Sequence, residues 1–217
     1  MKFNIPNIKA NKRIGPHNKE IISVIIGSLL GDAYANRKSI EGIRIVYKQG
    51  IKNKEYLFWL YELFYKQGYC TNLLPRKYTR KLKKGDEIKE YYGYEFNTFT
   101  FRSLNWIHKM FYKNGKKVIN PKIEEYIDPL ALAIWIQDDG GWTKYGVRIS
   151  TNSFKLEEVQ LLEKLLKKKF DLNCTIQKIQ TPDQYSIYIK AESMEKLRKI
   201  VLPYLHKSMY YKLGLKI

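Results

Sequence analysis

The 217-residue chain carries 40 Lys and Arg against 21 Asp and Glu, a net charge of +19 at pH 7, and this favours a polyanionic partner because neutralising phosphates releases their condensed counterions. With 44% hydrophobic and 14% aromatic residues the chain can build a core, which excludes a disordered polypeptide, and its two cysteines cannot make a four-ligand zinc site. No signal-peptide run opens the sequence and no stretch reaches the length of a membrane span, so the expected setting is intracellular, with reduced thiols and no membrane partner.

Residues Ile21 to Asp32 repeat apolar side chains at helical spacing and end in an acid. A short strand at Tyr34, a turn over 39–42 and an alternating strand Ile43–Gln49 follow. The pattern then predicts an amphipathic helix over Lys54–Gln67, Cys70 next to Thr71 and Asn72, strands over Leu73–Tyr78 and Tyr91–Phe101, and a helix over Leu104–Tyr112. Thr79 to Glu87 reads as a charged insert, and residues 113–127, with Asn114-Gly115 and Asn120-Pro121, read as a connection.

The same order then returns. Pro129 to Asp139 is a second apolar helix ending in acid, with Asp128 placed to cap it and proline in its first turn. After Gly140-Gly141 come a strand at Trp142, a turn at Tyr145-Gly146 and a strand Val147–Asn152. A helix over Leu156–Phe170, the pair Asn173-Cys174, strands over Thr175–Ile179 and Tyr185–Lys190, and a helix over Met194–Leu202 complete the copy. Each half reads α-β-β-α-β-β-α and carries a late lysine, Lys117 or Lys212. Two copies of this length are a tandem duplication, not a solenoid.

Gly27 and Gly31, four residues apart, put two positions without side chains on one helix face, so a partner helix can approach closely. Ala131 and Ala133 are small on the second helix, but Ile134 and Asp138 stand where the first copy has its glycines. An acid at a helix C-terminus faces the negative end of the helix dipole, at a cost of roughly 0.3–1 kcal/mol. Both copies place one there, and if the small faces pack, the two carboxylates converge. Divalent cations resolve that conflict and suit phosphodiester hydrolysis. A lysine near such a site could stabilise the charge that develops on phosphorus or help activate water.

Ile25-Ile26-Gly27-Ser28-Leu29-Leu30-Gly31-Asp32-Ala33 and Leu132-Ala133-Ile134-Trp135-Ile136-Gln137-Asp138-Asp139-Gly140 resemble the paired motifs of double-motif LAGLIDADG homing endonucleases. Lys52-Asn53-Lys54-x-Tyr56, Phe170-x-Leu172-Asn173-Cys174 and Met209-Tyr210-Tyr211-Lys212-Leu213 add to a likeness that runs from about residue 15 to the end and is strongest to the intron-encoded yeast mitochondrial type. The resemblance implies an α+β fold of two pseudo-symmetric αββαββα halves, with antiparallel sheets forming a DNA-binding saddle and the motif helices at the interface. The expected layout is an N-terminal extension over 1–15, a first half over 16–112, a linker over 113–127 and a second half over 128–217.

The resemblance also implies roles. Asp32 and Asp139 would be the catalytic, metal-binding acids, with Gly31 and Asp138 grouped in the metal site and Asp138 not the catalytic acid. Lys117 and Lys212 would be the catalytic lysines, and Gln49 and Asn152 the polar groups that position water. Mg²⁺ is the expected cofactor, with Mn²⁺ able to replace it and Ca²⁺ binding without supporting efficient cleavage. The expected partner is double-stranded DNA with a long asymmetric site, bound by a monomer and cut across the minor groove to leave short 3′ overhangs; intron RNA is a further partner. Location in a mitochondrion or chloroplast, encoded within an intron, is implied. Ile134, where a small residue is usual, should alter helix crossing more than chemistry.

On such a saddle, period-two alternation turns Arg44, Lys48, Arg148, Ser150, Ser186, Tyr188 and Lys190 toward DNA, with Arg76, Tyr78 and Arg80 as further contacts, and turns Ile43, Ile45, Val147, Ile149, Ile187 and Ile189 inward. Most of these cations are expected on phosphates. An RNA maturase assisting intron splicing and a non-cleaving DNA-binding protein on the same fold are the competing readings. Other nuclease classes fail on inventory: His17, His108 and His206 are scattered, Glu87-Ile88-Lys89 lacks a preceding Pro-Asp, and no phosphate-binding G-x-x-x-x-G-K-[ST] loop exists.

Overall fold

A computed structural model describes residues 8–9, 12–39, 42–85 and 87–216. The predicted turn over 39–42 includes residues 40 and 41, which lie outside that set, as does most of the expected extension over 1–15. The chain forms two compact units: 1–16 with 32–105, and 17–31 with 106–217. The first helix therefore belongs to the unit that holds the second motif helix.

In the first unit, strands β1 (Tyr34–Ser39) and β2 (Gly42–Gly50) precede helix α2 (Lys54–Lys66), the second α-helix of the chain. Strands β3 (Arg76–Lys84) and β4 (Glu87–Asn97) complete an antiparallel sheet of order β1-β2-β4-β3. Helix α2 buries Tyr56, Leu57, Leu60, Tyr61 and Phe64, one stripe at helical spacing. That stripe meets β2 and β4, where Tyr47 stacks on Phe96 at 4.8 Å and meets Phe64 at 5.0 Å. The charged insert is part of a strand pair. Thr79–Lys84 and Glu87–Tyr92 continue the ladder pairwise, so β3 starts later and ends later than alternation over Leu73–Tyr78 predicts. Leu73 and Leu74 precede the strand and are 74% and 70% exposed.

The second unit is built around α1 (Lys19–Leu30) and α4 (Pro129–Asp139), which pack on each other. Asn18 caps α1 through Glu20 N, and Asp128 caps α4 through Ala131 N at 2.9 Å. A Cβ added at Gly27 would lie 2.3 Å from the Ala131 carbonyl oxygen and 2.8 Å from Ile134 Cβ; one at Gly31 would lie 2.4 Å from Asp138 Cβ. The glycines of α1 thus accommodate the bulk that α4 carries at Ile134 and Asp138, which is why one helix can lack small residues there.

Between these helices in sequence lie α3 (Asn105–Phe111) and a small hairpin, β5 (Tyr112–Lys113) and β6 (Lys116–Lys117), turned by Asn114 and Gly115 at φ of 51° and 75°. Asn-Gly tolerates positive φ at both positions, the requirement of a two-residue hairpin. After α4 come β7 (Gly140–Trp142), β8 (Val147–Ser150), helix α5 (Leu156–Phe170), β9 (Cys174–Lys178), β10 (Tyr185–Ile189) and helix α6 (Met194–Val201). Their sheet has order β7-β8-β10-β9, the order of the first sheet. Helix α5 packs on β9 and β10, and the six isoleucines and valines expected inward on the two sheets are fully buried. Among the described residues no helix is long and apolar enough to cross a membrane.

Candidate active site

Each motif acid comes at the end of a helix whose last carbonyls have no partner within the helix. Asp32 is exposed and lies just past α1, whose last turn is closed by Gly31 N–H donating to Gly27 O at 3.2 Å; Asp139 is half-buried and is the last residue of α4. The two expected lysines meet the residues just before these acids. Lys117 Nζ donates to the Gly31 carbonyl at 3.1 Å, and Lys212 Nζ donates to the Asp138 carbonyl at 2.7 Å. The same relation recurs in both copies: an ammonium on the peptide oxygen that directly precedes the acid. A cation there also opposes the negative helix end.

The supports differ. Lys117 rides β6, opposite Tyr112, and Val118 N–H donates to Phe111 O at 2.8 Å to anchor the hairpin. Lys212, 7% exposed, sits in a 3₁₀ segment, Lys207–Leu213. That segment is held at both ends. At its start the buried Gln137 amide donates to Tyr204 O at 3.4 Å and accepts from His206 N at 2.7 Å, and His206 caps the segment through Ser208 N. At its finish Arg198 donates to Leu213 O at 2.8 and 3.2 Å, and Gly214 has φ of 71° with its α-carbon packed so closely on the Trp142 indole that a Cβ would lie 2.4 Å away. Sequence reading missed Gln137, Arg198 and Gly214; only the glycine next to a helical run carried a local signal.

In the first unit Gln49, 6% exposed, donates through Nε2 to Asp32 Oδ2 at 2.8 Å and accepts from Asn53 Nδ2 at 2.9 Å. Its proposed counterpart does not correspond in the ladder. Tyr34, two residues after Asp32, pairs with Val46, and Gly141, two residues after Asp139, pairs with Arg148. By that register Gln49 matches Thr151, whose buried hydroxyl donates to Tyr185 O at 2.7 Å, whereas Asn152 is exposed.

The polar face of the first sheet holds Arg44, Lys48, Arg76, Tyr78 and Arg80. An acid that was not foreseen, Glu95, stands among them at 5% exposure. Its Oε2 takes Lys48 Nζ at 2.6 Å and its Oε1 takes Arg76 Nε at 2.5 Å and Nη2 as well. Burial pushes its pKa up, but the hydrogen bonds from Lys48 and Arg76 outweigh that and hold the carboxyl below the usual carboxylate range. Lys48, bonded to Glu95, is pushed up and also lies 5.3 Å from the Tyr78 ring. On the second sheet Arg148 and Ser150 are exposed and Tyr188 and Lys190 half-buried; Ser186, cross-strand from Ser150, shares their face but is 1% exposed between β8 and β9.

Residues 22–197 match the LAGLIDADG DNA endonuclease family, and the chain belongs to that family. It is 56% identical to the "Intron-encoded endonuclease ai4" of Dictyostelium discoideum over 158 residues, 72% of this chain and 99% of that protein. It is 43% identical to the "Cytochrome b mRNA maturase bI2" of Saccharomyces cerevisiae over 223 residues, 99% of this chain, and spans about half of that protein, 52%. The structure of the homing endonuclease I-WcaI bound to its DNA recognition sequence superposes with a TM-score of 0.84 at 29% identity, over 98% of this chain and 95% of the other.

Proposed function

We propose that the chain is a site-specific, metal-dependent DNA endonuclease of the homing type, with Asp32 and Asp139 as its catalytic acids. The observation that carries this reading is the repeated pairing of a lysine with the carbonyl before each acid, Lys117 on Gly31 and Lys212 on Asp138. A cationic group fixed at each helix end places positive charge where an attacked phosphate gains negative charge. Gln49 orients the Asp32 carboxylate through its amide.

The donor set fits a hard cation. Among the described residues no three His, Cys, Asp or Glu side chains cluster. The carboxylates of Asp32 and Asp139 and the carbonyls of Gly31 and Asp138 would hold Mg²⁺ together with water and substrate phosphate, an all-oxygen set this ion prefers. Mn²⁺ would replace it, and Ca²⁺ would bind without efficient cleavage. A bound ion supplies Lewis acidity for the attacking water and the leaving oxygen. The duplex would lie on the polar sheet faces, against Arg44, Lys48, Arg76, Tyr78 and Arg80 of one and Arg148, Ser150, Tyr188 and Lys190 of the other. A monomer would recognise a long asymmetric site and cut both strands across the minor groove, leaving short 3′ overhangs, from a reading frame within an organellar intron.

The likeness to a cytochrome b mRNA maturase over nearly all of this chain favours a second reading, assistance of intron splicing. Purified protein, a plasmid joining the exon sequences that flank the reading frame, and the intron transcript separate the two. Linearised plasmid in Mg²⁺ but not in EDTA is the expected result. Cleavage that persists in both Asp32→Asn and Asp139→Asn would overturn the assigned acids, and faster splicing without any cleavage would leave the maturase reading alone.

A further inference from the structure

We propose that Glu95 is a specificity-determining positioning residue: it locks Lys48 and Arg76 into a rigid donor array on the first sheet, and that array reads base edges, guanine above all, where free cations would only hold phosphate. The inference rests on the nuclease reading above.

A surface that only neutralises phosphates gains from every cation and loses from every acid. Glu95 reduces the trio of Lys48, Glu95 and Arg76 from two positive charges to one, at a face where affinity for a polyanion would favour its absence. A carboxylate 5% exposed is also costly unless its oxygens are fully used. Here both are: Oε2 takes Lys48 and Oε1 takes Arg76. The Lys48 and Arg76 side chains remain 42% and 75% exposed above it, so the acid lies beneath two donors that face solvent.

The way Arg76 is held matters. Its Nε and Nη2 face Glu95, the side-on edge of the guanidinium. The end-on edge, formed by Nη1 and the second Nη2 hydrogen, is left with two parallel donors in a fixed plane. Two parallel donors match O6 and N7 of guanine, and fixing the plane lowers the ordering cost of that contact. Lys48, pinned by Glu95 and 5.3 Å from the Tyr78 ring, supplies a third donor beside them.

The second sheet provides an internal control. By the same register, Lys48, Glu95 and Arg76 correspond to Ser150, Ser186 and Gln177: Glu95 pairs with Lys48 and Arg76 as Ser186 pairs with Ser150 and Gln177. The equivalent trio is uncharged, so the ionic array is not a requirement of the fold. It belongs to one side of the recognised sequence.

The test selects cleaved molecules from a randomised duplex library with the full-length protein and with Glu95→Gln, and measures duplex affinity against salt for both. The expected result is that Glu95→Gln loses about tenfold or more in preference for guanine at one or two neighbouring base pairs, binds random duplex more tightly, and steepens the slope of log affinity against log salt by roughly one. Arg76→Lys, at an exposed position, keeps the charge and loses the fork. It should lose the same base preference without the steeper slope, and it decides the matter should Glu95→Gln fail to fold. A wild-type protein that cuts a defined site while both variants keep its base preference would overturn the role of Glu95 alone. A wild-type protein that neither binds nor cuts duplex would overturn the nuclease reading and this inference with it.

Discussion

At the end of the first motif helix the lysine is carried by a two-residue strand on an Asn-Gly hairpin and is half-buried; at the end of the second its counterpart is 7% exposed in a 3₁₀ segment fixed by Gln137, Arg198 and Gly214. Both reach a carbonyl that directly precedes an acid. The two copies therefore keep a relation between atoms while the scaffold that delivers it has changed. The sheets show the same division, with an ionic trio on one and Ser150, Ser186 and Gln177 on the other. What is duplicated is the chemistry at the helix ends; what has diverged is the means of holding it and the surface that would select a sequence.

The most severe test of equivalence removes the acids. Asp32→Asn and Asp139→Asn are each expected to reduce double-strand cleavage by about 100- to 1,000-fold, read as linear plasmid in Mg²⁺. Accumulation of nicked circles in one variant only would show that the halves act on separate strands with unequal dependence. The lysines sharpen the contrast in stability. Lys212→Met removes a buried ammonium–carbonyl hydrogen bond and should cost about 1–3 kcal/mol in urea unfolding, against a smaller loss for Lys117→Met, whose bond is only part-buried. Equal losses would mean that the scaffolds are equivalent after all.

Helix packing gives the next effect. Gly27→Ala forces a methyl into the Ala131 carbonyl and should cost about 1–3 kcal/mol. At roughly 2–4 °C per kcal/mol for a chain of this size, a melting scan resolves it. A stable Gly27→Ala would refute the close approach of α1 and α4. The smallest expected effect is shared by the halves. Burial pushes the thiols of Cys70 and Cys174 up to about 12, so at pH 8 both stay protonated and should resist alkylation until the protein unfolds. Fast labelling of one alone would expose a difference between the halves that packing does not show.

Much of this was legible because the order of elements recurs. Two helices ending in acid, two late lysines and matched cysteines each mean little alone, and their repetition marked the chain as two like copies. The ladder continuing through Thr79–Tyr92 was not legible, since Arg80, Lys81, Lys83 and Lys89 mask the alternation of a strand pair exposed on both faces. Residue type alone matched Gln49 with the amide of Asn152, whereas the ladder register matches it with Thr151, and a slip of one residue reverses the face. Glu95 was missed because its meaning depends on partners 47 residues before it, at Lys48, and 19 before it, at Arg76. Gln137 lay inside a recognised motif, yet its role depends on the chain folding back to Tyr204 and His206.

The segment 17–31, which holds the first helix, packs within the unit otherwise made of 106–217. A nick between Asn114 and Gly115 would leave both four-stranded sheets whole, part the β5–β6 hairpin at its turn, and put α1 on one fragment and α4 on the other. Neither piece could shelter the greasy seam around Gly27 and Ala131, so separately made pieces should clump and co-expressed ones should find each other. The fold offers a ready split reporter whose reassembly is driven by that seam.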